Sequence, residues 1–361
     1  MSLRRVTLNT VLAAALAGTF LAGGASTAGA APVIDPSTAT LRQLARPTGV
    51  RIGTAVDTSA LANDITYRTL VAEQFDSVTP ENVMKWAVVE PQQGQYDFTE
   101  ADELVAFARA HNQKVRGHTL VWHNQLPSWL TSGTWTDAEL RRILRQHIFT
   151  EAGHFRGRIW AWDVVNEAID DNGQLRNTFW LQNLGPGYIA DAFRWAHQAD
   201  PKAILFYNDY NIEGINAKSD AVYALVRQLK SQGVPIQGVG VQGHLSTRYG
   251  LPANMQQNLH RFAALGLKTA VTEADVRSDL PVDAPKIQAQ AAAYSYMLES
   301  CLLERSCISY TVWGFTDKYS WVPSTFPGEG YANLYTEDYQ PKPAYDALRR
   351  DLALAAGIKR H

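Results

Sequence analysis

Short apolar runs rich in β-branched residues alternate along this chain with longer segments of helical periodicity. The apolar runs fall at 50–56, 77–79, 114–120, 158–165, 203–208, 236–243, 268–272 and 308–313. Apolar residues recur every three or four positions at 100–111, 138–147, 188–199, 218–232, 254–265 and 287–303. Strands that alternate with helices pair in parallel through right-handed crossovers. Eight such units predict an α/β fold, a (β/α)₈ barrel built as a single domain. An open doubly wound sheet is the competing arrangement. Against it, no Gly-x-Gly-x-x-Gly follows the first strand and no phosphate loop is present.

The first thirty residues break the pattern. Arg4 and Arg5 precede a short, mostly apolar stretch at 11–22, and Ala28-Gly29-Ala30 supplies small residues for cleavage. Residues 1–30 are therefore expected to be a secretory signal peptide, removed on export. A membrane anchor is the alternative, but the stretch is too short and too rich in Ala and Gly to span a bilayer. The arginine pair matches twin-arginine export only in part. The expected organisation is a short segment at 31–40, a catalytic domain at 41–355 and a tail at 356–361. The mature protein is expected outside the cell, as a monomer with no membrane partner.

Composition narrows the function. Lys and Arg total 33 against 35 Asp and Glu, with no basic run, which argues against nucleic acid as a partner. Ten Trp and fifteen Tyr either fill a large core or line a groove for flat, weakly polar ligands. Cys301 and Cys307 are the two cysteines, and an even count in an exported chain reads as one disulfide. Its small loop is worth about 2 kcal/mol. Two thiols at this spacing do not make a metal site. His118 and His123 lack zinc-hydrolase spacing, so no metal and no cofactor are expected.

A barrel concentrates its chemistry at the C-terminal ends of its strands. There the chain carries acids, amides, His and Trp where ordinary connections carry Gly, Pro and Ser. Glu167 ends the fourth run and Glu273 the seventh, so the two carboxyls can face one another across the mouth. Cleavage of a glycosidic bond needs such a pair, one protonated and one ionised. Glu167 lies in an apolar, aromatic run with Trp160, Trp162, Val164 and Val165, a setting expected to keep it protonated. Glu273 has Asp275 and His244 nearby, a setting that favours the carboxylate. Glu167 is accordingly assigned as acid/base and Glu273 as nucleophile. Lys85 follows Glu81 by one helical turn, which would put both on one face to clasp one sugar. Trp86, Trp129, Trp180 and Trp195 are expected to be packing residues.

The strings TPENVMKW, GHTLVWHNQLPSWL, WDVVNEAI, FYNDYN, VQGHL, TEAD and VWGFTDKYSW resemble glycoside hydrolase family 10. That family is dominated by secreted endo-β-1,4-xylanases folded as (β/α)₈ barrels. The resemblance covers nearly all of residues 41–350. It implies a retaining double displacement on xylan and xylo-oligosaccharides, with Glu167 as acid/base and Glu273 as nucleophile. It implies that Asn166 bonds the 2-hydroxyl of the sugar being cleaved, and that His244 touches the nucleophile and is oriented by Asp275. Glu81, Asn82 and Lys85 would bind the next sugar on the non-reducing side. His118, Trp122, Gln125, Gln242, Trp313 and Trp321 would floor and wall the same subsites, and Tyr210 would stack on the reducing-side sugar. Many members carry Leu or Phe where this chain has Ala274, a departure that touches the packing behind the nucleophile. Two other readings are weighed, an endo-glucanase of a related barrel family and a sugar-binding barrel without activity.

Overall fold

The computed structural model describes residues 38–357, so the expected signal peptide and most of the expected tail lie outside the described residues. Within these bounds the expected alternation is present. The strands are β1 (Arg51–Val56), β2 (Ser77–Pro80), β3 (Lys114–Val121), β4 (Ile159–Asn166), β5 (Ile204–Asp209), β6 (Gly238–Val241), β7 (His244–Ser246), β8 (Lys268–Asp279), β9 (Cys307–Val312) and β10 (Glu329–Gly330). Eight of them form a closed ring. Each of β1 to β5 pairs in parallel with its successor, β6 pairs with β8, β8 with β9, and β9 returns to β1 through Arg51↔Ser309 to Thr54↔Val312. A doubly wound sheet keeps two free edges; this ring has none. The fold is a (β/α)₈ barrel.

The strands are buried on both faces, which is why they read as apolar runs and not as strict alternation. Their outer face packs beneath the helices. There Gly117 of β3 makes room for Trp162 of β4, because a Cβ at Gly117 would overlap the indole ring, which is fully buried. Inside the ring, Ala161, Phe206 and Ala270 form a small apolar cluster separate from the main core. The Arg116 guanidinium sits over the Phe206 ring at 4.4 Å and pairs with the buried Asp163. The interior is thus apolar around Phe206 and carries ionised groups next to it.

All six predicted helices are present, at Thr99–Ala110, Asp137–His154, Gly187–Ala199, Ala217–Ser231, Met255–Ala264 and Ala284–Leu302. The second is longer than its periodicity suggests. Thr136 and Glu139 close a capping box at its start, and its last turn ends at His154. The final helix, Pro343–Gly357, packs on Leu41–Ala45 and on Ala284–Leu302, and so carries regular structure into the expected tail. Cys301 and Cys307 form a disulfide joining the end of Ala284–Leu302 to the start of β9.

Two strands differ from expectation. The run 236–243 is interrupted, because Gly243 takes φ +83° and splits it into β6 and β7. The seventh run does not end at 272. β8 continues to Asp279, since beyond the ring it still finds partners in β7 (His244↔Asp275) and β10 (Gly330↔Ser278). Glu273 is therefore inside a strand, held on both sides, and not on a connecting loop.

Candidate active site

Glu273 is 5 % exposed, with two hydrogen-bond partners and a further imidazole close by. Asn208 Nδ2 donates to Oε1 at 2.7 Å, His244 Nε2 lies 3.1 Å from Oε2, and His118 Nδ1 stands 4.0 Å from Oε1. Burial alone would raise its pKa. The hydrogen bond from His244 and the charges of His118 and His244 outweigh burial and hold the carboxyl below the usual range. An ionised Glu273 is what an attacking group requires.

His244 is itself fixed from behind. Its Nδ1 lies 3.0 Å from Asp275 Oδ2, which also accepts from Trp321 Nε1 at 2.8 Å. Burial would lower the imidazole pKa, but Asp275 and Glu273 raise it to about 10. A folded-state value above the ordinary one stabilises the fold fully below about pH 6.5, and that contribution is lost as pH rises towards 10. Asp275→Asn keeps an acceptor for Trp321 and removes the anion. The melting-temperature gap between wild type and Asp275→Asn is expected to be widest near pH 6 and to close towards pH 10. A gap that is constant across that range would refute this assignment.

Glu167 follows the last residue of β4 and takes a left-handed backbone, φ +59°. Its N–H still donates to Asn208 O at 2.9 Å, so β5 holds it. The carboxyl is not in the apolar setting read from the sequence. Trp122 Nε1 donates to Oε2 at 2.9 Å, while Asn166 Nδ2 and Gln242 Nε2 donate to Oε1 at 3.1 and 3.0 Å. Strand alternation explains the error: Trp162 points away beneath the helices, towards Phe155, and does not surround the carboxyl.

One amide links the two acids. Asn208 Nδ2 reaches both Asn166 Oδ1 (2.9 Å) and Glu273 Oε1, and its own Oδ1 accepts from Thr272 Oγ1 at 2.7 Å. Asn166 is thereby turned so that its Nδ2 faces Glu167. Below this level Asp163 lies 3.0 Å from His118 Nδ1 and accepts from Arg116. Burial would raise the Asp163 pKa, but Arg116 and His118 hold it down. Asn208, Arg116 and Asp163 were not assigned from sequence. Asn208 lies in the quoted strand-end string FYNDYN and could have been found there. The Arg116–Asp163 pairing spans β3 and β4 and leaves no local signal.

A cavity of about 450 Å³ brings together Lys85, His118, Trp122, Asn166, Glu167, Tyr210, Gln242, His244, Glu273, Trp313 and Trp321. Asn124, Asn211, Arg277 and Phe326 complete its lining and were not anticipated. Glu81, Asn82 and Gln125 lie beside the cavity and not on its wall. Lys85 does not pair with Glu81 as a helical turn would require. Residues 81–85 form bends and turns, and the helix begins only at Trp86. Lys85 Nζ instead donates to Asn82 Oδ1 (3.1 Å), which also accepts from Gln125 Nε2 (3.3 Å). The ammonium stands 5.1 Å from the Trp122 ring centroid and 5.9 Å from that of Trp313. Burial lowers its pKa against the pull of Glu273, Glu81 and Glu167. Burial, with the charge of Asp57, pushes Glu81 up to about 7 although Lys85 opposes it.

Tyr210 lines the cavity, and Lys218 Nζ lies over its ring at 3.3 Å from the centroid. Trp86 and Trp180 are buried and stacked, Trp86 lying flat on His147 at 3.6 Å. Among the described residues no group of three or more His, Cys, Asp or Glu could hold a metal ion, and no helix is long and apolar enough to cross a membrane.

The arrangement is a barrel mouth holding one ionised carboxylate, a second carboxyl under three N–H donors, and amide, imidazole and indole groups around them. It suits a hydroxyl-rich ligand cleaved by acid/base and nucleophilic chemistry. Residues 40–351 match the model of glycosyl hydrolase family 10. Endo-1,4-beta-xylanase B of Thermotoga neapolitana is 45% identical over 312 residues, covering 86% of this chain and 90% of its own. Endo-1,4-beta-xylanase 1 of Humicola insolens is 42% identical over 325 residues, 88% of this chain and 75% of its own. The crystal structure of xylanase 10B from Thermotoga petrophila RKU-1 in complex with xylobiose superposes with a TM-score of 0.85 at 45% identity, over 88% of this chain and 98% of that one. A match of this extent, in fold and in sequence, places the chain in glycosyl hydrolase family 10.

Proposed function

We propose that this protein is a retaining endo-1,4-β-xylanase that cuts internal bonds of xylan, with Glu273 as nucleophile and Glu167 as acid/base. The observation that carries the reading is the pairing of these two carboxyls in one cavity, Glu273 held ionised and both tied to Asn208 and Asn166. In the first step Glu273 attacks the anomeric carbon and Glu167 protonates the leaving oxygen. In the second, Glu167 takes a proton from water, which attacks the same carbon and frees Glu273. Asn166, fixed by Asn208, supplies a hydrogen bond to the 2-hydroxyl that tightens in the transition state. His118 and His244 keep the nucleophile charged until it attacks.

Cutting inside a chain needs room on both sides. Lys85 with Asn82, Gln125 and Glu81 serves the non-reducing side, and Tyr210 the reducing side. A further cavity of about 800 Å³ shares Asn211, His244 and Arg277 with the first, so the cleft continues past Tyr210. Trp313 and Trp321 are rigid walls over the cleavage point. Trp321 is pinned by Asp275, and Trp313 stands edge-on to His118 at 5.2 Å. Such walls crowd the hydroxymethyl group that glucose has and xylose lacks, a discrimination of about 1–3 kcal/mol. Initial rates on xylan are expected to exceed those on carboxymethyl cellulose by at least about tenfold. Faster release of reducing ends from the cellulose would favour an endo-glucanase, and no release from either would favour a binding barrel.

The reading of residues 1–30 supports secretion. N-terminal sequencing of the protein from culture medium tests it, and a start near residue 31 is expected.

A further inference from the structure

The loop that follows Glu167 turns back on itself. Asp170 N–H donates to Gln174 O at 2.8 Å and Gly173 N–H to Asp170 O at 3.0 Å. Asp170 Oδ1 accepts from the N–H groups of Asn172 and Gln174, both at 2.9 Å. Ile169 and Leu175 then bridge, and Arg176 N–H donates to Ala168 O at 2.8 Å. This hairpin returns Arg176 to the residue that started it.

We propose that Arg176 is a positioning residue that locks the proton donor and the platform for the leaving sugar into one body. The inference rests on the roles given above to Glu167 and Tyr210. Arg176 Nε donates to the backbone oxygen of Glu167 at 2.8 Å. Its Nη2 donates to Ile169 O at 3.0 Å and to the Tyr210 hydroxyl at 2.8 Å. Glu167 needs such a brace, since residues other than glycine rarely adopt its left-handed backbone and its N–H is held from the other side by β5. Tyr210 needs one too, because it sits past the end of β5 with no ladder to fix its ring. Its hydroxyl accepts from Arg176 and donates to Asp171 at 3.3 Å, and Lys218, ion-paired to Asp209 at 3.0 Å, lies over its ring. A planar guanidinium can serve two directions at once, which a lysine ammonium on a flexible stem does less well. The consequence is specific. A carboxyl that protonates a departing sugar must stay in register with the surface on which that sugar rests. Misplacement by about 1 Å costs on the order of 10²-fold.

Two substrates separate positioning from simple loop stability. Xylohexaose leaves a sugar that needs both a proton and the Tyr210 platform. Dinitrophenyl β-xylobioside leaves an anion that needs neither. In Arg176→Gln, kcat/KM on xylohexaose should fall by about 10²-fold, and on the aryl substrate by no more than about threefold. Equal losses on both substrates, or no loss on either, overturn the proposal. Tyr210→Phe removes one arm of the brace, so its effect should be smaller and less than additive with Arg176→Gln. Should Arg176→Gln not fold, Arg176→Lys and Tyr210→Phe carry the same comparison, and equal losses in both overturn it. Glu167→Ala is run alongside. If that variant shows no dependence on leaving group, the acid/base assignment has failed; if it does and Arg176→Gln does not, only the present inference has failed.

Discussion

Glu273→Ala is expected to lose at least about 10⁴-fold in kcat on xylan, a barrier increase of roughly 5.5 kcal/mol. The loss is large because no neighbour can replace the carboxylate. His244 faces it as a hydrogen-bond partner, His118 stands 4.0 Å away with its Nδ1 turned to Asp163, and Asn208 offers an N–H. The fold should survive, since the side chain is smaller and β8 keeps both flanking partners. Azide should enter the vacated space and restore cleavage of an activated aryl xylobioside, giving a glycosyl azide of inverted configuration. Retained xylan hydrolysis in Glu273→Ala, or an azide product of unchanged configuration, would remove Glu273 from the nucleophile's role.

Glu167→Ala should behave differently in three ways. On xylo-oligosaccharides kcat/KM should drop by about 10²–10⁴-fold, the range for losing a positioned general acid. On an aryl substrate whose leaving group needs no proton, kcat/KM should be nearly unchanged and kcat should fall, because the second step still needs a base. The alkaline limb of the pH profile should flatten, since that limb reports deprotonation of the acid. Added azide should now give a glycosyl azide of retained configuration, because it intercepts the covalent intermediate on Glu273. The opposite azide stereochemistry in the two variants assigns the two roles independently of any rate. Identical products would show that the roles are wrongly divided.

Much of this was readable from residues alone, for identifiable reasons. The barrel announces itself because its strands are buried on both faces and its helices on one, which are local periodicities. Glu167, Glu273 and most of the cavity wall were legible because a barrel places functional groups where strands end. What failed depended on pairing between distant segments. The length of β8 comes from β7 and β10, partners that sequence periodicity does not name. Two of the three donors to Glu167, Trp122 and Gln242, lie just past the ends of β3 and β6, so the aromatic run that precedes it in sequence misdescribed its surroundings. Lys85 was placed by helical spacing on a segment that turns. Arg176 was invisible because its meaning arises only when the hairpin folds back on Glu167.

The closed ring also bears on how the protein behaves when concentrated. Unpaired ladder groups at a sheet border are what recruit other polypeptides into fibrils and precipitates. Among the described residues the strands lying off the ring are β7 and β10, three and two residues long, too short to nucleate such growth. Strand pairing between molecules should therefore require the ring to open first.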